Sequence, residues 1–119
     1  MIRVLTILLA VTSMGSVGKN YDGSNPKLEE WVAATWPVEL LDEVLDVAWC
    51  ESRGKPTASN GQYKGLMQMG RREWAKYGLG KSPYDPIANL QAAYRYWSDV
   101  ERTSPGKGWL RWSCQPISG

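Results

Sequence analysis

The chain has 119 residues, enough for one domain, and its net charge of +2 with no basic run interleaved with aromatics argues against nucleic-acid binding. It contains no histidine and only two cysteines, which removes Ser-His and Cys-His nucleophile systems and argues against a structural zinc site. Carboxylates, hydroxyls, amides and lysines are what remain for chemistry, with no cofactor or metal expected.

In chain order, Arg3 and the apolar run 4–11 read as the positive and hydrophobic regions of a signal peptide, far too short to span a bilayer. Small residues close it, with Ser13-Met14-Gly15 or Ser16-Val17-Gly18 as cleavage sites. The rival reading is an N-terminal strand or buried helical turn. The expected organisation is a signal peptide over residues 1–18, a polar linker over 19–25 and one domain over 26–119. No later segment is apolar enough to cross a membrane, so a secreted or envelope-located monomer without stable membrane insertion is expected, virion-associated if phage-encoded.

Asn25 and Pro26 predict a helix over Pro26–Thr35, with the asparagine as cap. Pro37 begins a second helix over residues 37–53. At 100° per residue its Leu40, Val44 and Val47 form an apolar stripe flanked by Leu41 and Ala48, while Glu39, Asp42, Glu43 and Asp46 form an acidic, solvent-facing side. Glu51 is the exception, because it falls on the apolar stripe. Residues 55–64 read as a loop in which Asn60-Gly61 turns a small hairpin. A short helix over Arg71–Tyr77 ends at Gly78, and Asp85-Pro86 opens a long one to residue 103, its inner side being Ile87, Leu90, Ala93, Tyr94, Trp97 and Val100. The fold class is therefore mainly α, a small helical domain with at most a short β-hairpin.

An exported domain of ~100 residues is near the size at which a lone core becomes marginal. Cys50 and Cys114 thus favour a disulfide, whose closed loop of ~64 residues is worth about 4 kcal/mol on the chain-entropy estimate. Two free buried thiols are the alternative.

A carboxyl on an apolar face has its charged form disfavoured, so its pKa rises, as a general acid near neutrality requires. A helix-end glutamate at the rim of the core, paired with Arg53 or another base, is the plainer reading of Glu51. Three stretches bear on this choice: Cys50-Glu51-Ser52-Arg53-Gly54-Lys55-Pro56, Gly65-Leu66-Met67-Gln68-Met69, and Asp85-Pro86-Ile87-Ala88-Asn89-Leu90. Together they resemble the soluble lytic transglycosylase family of the lysozyme-like superfamily, over about residues 37–114. That family carries Glu-Ser at a helix end, Gly-Leu-Met-Gln, and Asp-Pro…Asn at the start of a later helix. Its Ala-Tyr-Asn-x-Gly motif is missing. In its place Gly108-Trp109-Leu110-Arg111-Trp112-Ser113-Cys114 resembles the compact, disulfide-bonded branch near the resuscitation-promoting factors.

The resemblance implies a lysozyme-like α+β fold, a peptidoglycan substrate and cleavage of the β-1,4 bond between N-acetylmuramic acid and N-acetylglucosamine. Glu51 is then acid and afterwards base, Ser52 caps or positions the site, Gln68 bonds a sugar or its acetamido group, and Met67 lines the groove floor. For Ser52 a simple helix-end hydroxyl, for Gln68 a loop-satisfying amide and for Met67 an ordinary core position are the rivals. Tyr63, Trp97, Trp109 and Trp112 are candidates for stacking on sugar faces, although most of the seven tryptophans must be core in a chain without phenylalanine. Glu73 and Asp85 are the nearest second carboxylates and are not expected to pair with Glu51; a substrate N-acetyl group can replace one. The expected outcome is a lytic transglycosylase leaving 1,6-anhydro-muramyl ends. A hydrolytic muramidase and a non-catalytic peptidoglycan-binding or virion structural module are the alternatives. Residues 75–82 satisfy a relaxed phosphate-loop pattern but follow a helical turn rather than a strand, so no nucleotide site is expected.

Overall fold

The computed structural model describes residues 20–117, so the signal peptide expected over residues 1–18 lies outside the described residues. Asn25 caps the first helix, α1 (Pro26–Thr35), its side chain accepting from the Leu28 N–H while Pro26 fills a position that needs no donor. The second helix starts later than its periodicity indicates. Pro37 fixes an extended backbone, a single 3-10 turn covers Val38–Leu40, and only then does α2 (Leu41–Ser52) begin, closing on Arg53 in a left-handed conformation. Then come strands β1 (Ser59–Asn60) and β2 (Tyr63–Lys64), α3 (Arg71–Tyr77) and α4 (Pro86–Thr103).

The two strands pair antiparallel, Ser59 with Lys64 and Asn60 with Tyr63, so Gly61-Gln62 makes the turn and not Asn60-Gly61. Gly61 has φ of 63° and Gln62 keeps a negative φ, a pattern that places the glycine first in the turn. The molecule is thus mainly helical with one small antiparallel sheet. Among the described residues no helix is long and apolar enough to cross a membrane. Residues 75–82 run from the last turn of α3 into a loop.

α4 packs on α1 and α3, and α2 packs on α1. The core gathers Leu28, Val32, Val44, Leu45, Val47, Leu66, Met67 and Leu90 with a layer of aromatics. Trp36 is central to that layer. It stacks on Trp109 with centroids 5.4 Å apart, meets Tyr94 and Trp97 edge-on, and donates its indole N–H to the Leu90 carbonyl. On α4 the expected inner residues Leu90 and Ala93 are buried, and Tyr94 and Trp97 pack half-buried on the core. Ala88, Asn89 and Ala92 are buried as well, so the inner face is wider than expected; Ile87 and Val100 are half-buried.

Two further expectations are corrected. Residues 20–25 are no loose linker: Tyr21 is 1% exposed, its ring set edge-on against Trp49 and its hydroxyl bonded to Glu29. The acidic side of α2 does not face solvent either. Glu39 does, but Asp42 and Glu43 are half-buried and Asp46 is 0% exposed. Asp46 accepts the Asn20 and Tyr21 N–H groups on Oδ1, at 3.0 and 3.2 Å, and that of Ile117 on Oδ2, at 3.4 Å. Glu43 accepts the Trp109 indole N–H at 2.7 Å. α2 is buried nearly all round, and Asp46 and Glu43 are accommodated there because backbone and indole donors meet them. A buried Asp42 oxygen, by contrast, has no partner among the described residues, and burial raises that carboxyl's pKa.

Candidate functional site

Glu51 stands in the last turn of α2, where the helix leaves the core. Burial pushes its carboxyl above the ordinary glutamate range, and hydrogen bonds from the Cys114 N–H (3.1 Å) and the Ser113 hydroxyl (3.2 Å) pull it back. Both bonds end on Oε2. The proton of the neutral acid therefore belongs on Oε1, which no described group occupies. The two donors come from the segment that the Cys50–Cys114 disulfide ties to α2, with Cα atoms 6.0 Å apart. Pairing with Arg53 is not what holds Glu51, since the described ion pairs are Lys27–Glu30 and Arg102–Asp99.

Glu51 opens onto a cleft of about 760 Å³, a volume within the ~300–1,000 Å³ typical of ligand sites. β2 contributes Tyr63, the following loop Gln68 and Met69, α3 Arg72, Glu73 and Lys76, α4 Tyr96, and the C-terminal segment Arg111, Trp112 and Ser113.

The loop between β2 and α3 owes its shape to its composition. Gly65 has φ of 81°, and a Cβ there would collide with the Pro83 carbonyl and the Asn89 amide. Leu66 and Met67 plug the core, and Gln68 turns left-handed with φ of 49°. Buried Asn89 laces the loop to α4, accepting the Met67 N–H at 2.8 Å and donating to the Lys64 and Pro83 carbonyls. Asp85 sets α4 in place by capping the Ile87 and Ala88 N–H groups. The two motifs thus form one structural unit.

No family model, curated protein or solved structure matches this chain.

Of the expected site residues, the cleft brings together Glu51, Tyr63, Gln68 and Trp112. Gln68 spends both amide hydrogens on the Ala58 and Gly65 carbonyls, so its nitrogen holds the loop and only its carbonyl oxygen is left for a ligand. Four residues stand elsewhere. Ser52 is buried, donating to the Ala48 carbonyl and accepting from the Gly54 N–H, which makes it a helix-end hydroxyl. Met67 is fully buried, and Met69 takes its expected place in the cleft wall. Trp97 and Trp109 belong to the aromatic layer around Trp36. The indole N–H of Trp97 is buried without a partner among the described residues. Trp112 bridges both settings, donating to the Met67 carbonyl while it lines the cleft.

Sequence reading missed the polar wall of α3. Arg72 and Lys76 are four apart and Glu73 lies between them, so one side of a seven-residue helix delivers three charges to the cleft. The spacing was the available signal. Arg111 carried none, because it lies in an irregular segment positioned by the disulfide and by Gln115, which donates to the Trp109 and Trp112 carbonyls.

Proposed function

We propose that this protein is an exported enzyme that cleaves the glycan strands of peptidoglycan, with Glu51 as the proton donor. The reading is carried by one observation: the Glu51 carboxyl borders an open cleft, its acid form favoured by burial and its Oε2 held by two donors. Burial keeps the proton on before reaction, and the Ser113 and Cys114 donors stabilise the carboxylate once the proton has left. A group opposed in this way can act first as acid and then as base. The motifs Glu51-Ser52, Gly65 to Gln68 and Asp85-Pro86…Asn89 support the same reading, and their resemblance to lytic transglycosylases supplies the substrate class.

In the transglycosylase sequence Glu51 Oε1 gives its proton to the glycosidic oxygen as the bond to muramyl C1 breaks. The substrate's acetamido group stabilises the cationic carbon. The Glu51 carboxylate then removes the proton of the sugar's 6-hydroxyl while O6 bonds C1, which closes a 1,6-anhydro ring and restores the acid without consuming water. A second reading, hydrolysis, is favoured by Glu73, a second carboxylate in the same cleft and a group able to orient a water.

Mass spectrometry of digested purified peptidoglycan separates the outcomes. Anhydro-muramyl ends support the first, and ends heavier by one water that take up labelled oxygen from the solvent support the second. A cell-wall preparation left intact by folded protein refutes both.

A further inference from the structure

Three cations line the cleft: Arg72 and Lys76 from α3 and Arg111 from the C-terminal segment. All are exposed, and none forms an ion pair among the described residues, where the ion pairs are Lys27–Glu30 and Arg102–Asp99. Lys76 is additionally held over the Tyr77 ring, 5.2 Å from its centroid. The cleft's own acids do not cancel them. Glu51 is neutral in the state that donates a proton, which leaves three positive charges against the single negative charge of Glu73, an excess of two. Such a wall, on two elements that enclose one cavity, raises the local concentration of anionic ligands and adds Coulomb attraction across it. An uncharged glycan of N-acetylglucosamine alone would make no use of it.

We propose that Arg72, Lys76 and Arg111 form a subsite for free carboxylates borne by the glycan, so that the protein selects strands whose muramyl residues carry an exposed carboxylate. The proposal rests on the glycan-cleaving reading and names the substrate feature that the cleft recognises. The shared chemistry is a carboxylate. Its source is either the lactyl group of a muramyl residue stripped of peptide or the peptide stem itself. Each exposed charge pair contributes little alone, and three together amount to about tenfold in affinity at low salt.

The test is calorimetric binding by the full protein carrying Glu51→Gln, which prevents turnover, to three soluble probes: chitohexaose, peptide-free glycan strands and strands with intact stems. Both or one of the carboxylate-bearing probes should bind about tenfold more tightly than chitohexaose in ~20 mM salt, and the advantage should shrink in ~0.5 M salt. Tighter binding of peptide-free strands assigns the lactyl carboxylate; an advantage confined to intact strands assigns the stem. Adding Arg72→Gln, Lys76→Gln and Arg111→Gln, all at exposed positions, should erase the advantage and leave chitohexaose binding unchanged. Equal affinity for charged and uncharged probes overturns the proposal, as does an advantage that survives the triple substitution or a variant that loses chitohexaose equally. Wild-type protein that cuts no glycan but still prefers carboxylates would instead refute only the catalytic reading.

Discussion

Replacing Cys50 and Cys114 together by alanine removes one covalent bond and almost no core, because Cys50 is exposed and Cys114 only half-buried. The bond closes a loop with a sequence separation of 64 residues. Closing a loop of that length restricts the unfolded chain by ~4 kcal/mol. Domains of this size have total stabilities of about 5–15 kcal/mol, so the loss takes a large share. With an unfolding entropy of ~2 cal/mol/K per residue over the described domain, it corresponds to a fall in Tm of about 20 °C. The same substitution frees the segment that supplies Ser113 and Cys114 to Glu51. Both bonds hold the Glu51 carboxyl down against burial, so losing them should move the alkaline limb of the pH–rate profile, where the proton donor ionises, upward. Calorimetric melting of the double variant beside the oxidised protein, followed by cell-wall clearing across pH, measures both effects. A Tm change below ~5 °C refutes the loop-entropy argument, and an unmoved pH profile refutes the link between bridge and acid.

Glu51→Gln should lower cell-wall clearing by about 10²–10⁴-fold, measured by turbidity, since the amide keeps the shape and cannot donate the proton. Its stability should match wild type at low pH and exceed it as pH rises: the folded pKa of Glu51 lies above the unfolded one, so the wild-type carboxyl's contribution is complete below the unfolded value and lost through the folded one. Urea melts at two pH values check the sign. Asp46→Asn should cost about 3 kcal/mol in the same melts, because an amide cannot accept N–H bonds on both termini of its side chain. Gly65→Ala should cost at least ~2–3 kcal/mol and lower activity with it, since the new methyl meets the Pro83 carbonyl and Asn89 in a backbone conformation suited to glycine.

Local signals carried the parts of the fold that local chemistry decides. Asn25-Pro26, Gly78 and Asp85-Pro86 mark helix ends whose donors and φ values depend on neighbours a few residues away, and those ends lie where the sequence puts them. Glu51 was legible as a carboxyl withdrawn from solvent, although not as the exception among its fellow acids, since Asp42, Glu43 and Asp46 are withdrawn too. Asp46 was not. Its partners are backbone N–H groups of Asn20, Tyr21 and Ile117, up to 71 residues away, and a backbone donor leaves no mark in a sequence. Glu43 failed likewise through the Trp109 indole, 66 residues distant. Among the aromatics, composition gave the number of tryptophans but not their division between the layer around Trp36 and the cleft. Only tertiary packing separates Trp109 from Trp112, three residues apart and 5.2 Å between centroids.

The Asp46 carboxylate also makes the domain behave as a closed ring. Residues 20–21 and residue 117 approach it from opposite directions along the chain and share its two oxygens. Fraying at one end therefore withdraws a donor from the group that secures the other, so the two ends should exchange amide hydrogens as one cooperative unit although nearly the whole domain separates them in sequence. The gap between them is spanned by two hydrogen bonds and one carboxylate, short enough for a linker of about three or four residues at ~3.3–3.6 Å each. A circularly permuted chain joined there and opened in the exposed loop at Gly80-Lys81 would keep α2, the bridge and the cleft uninterrupted.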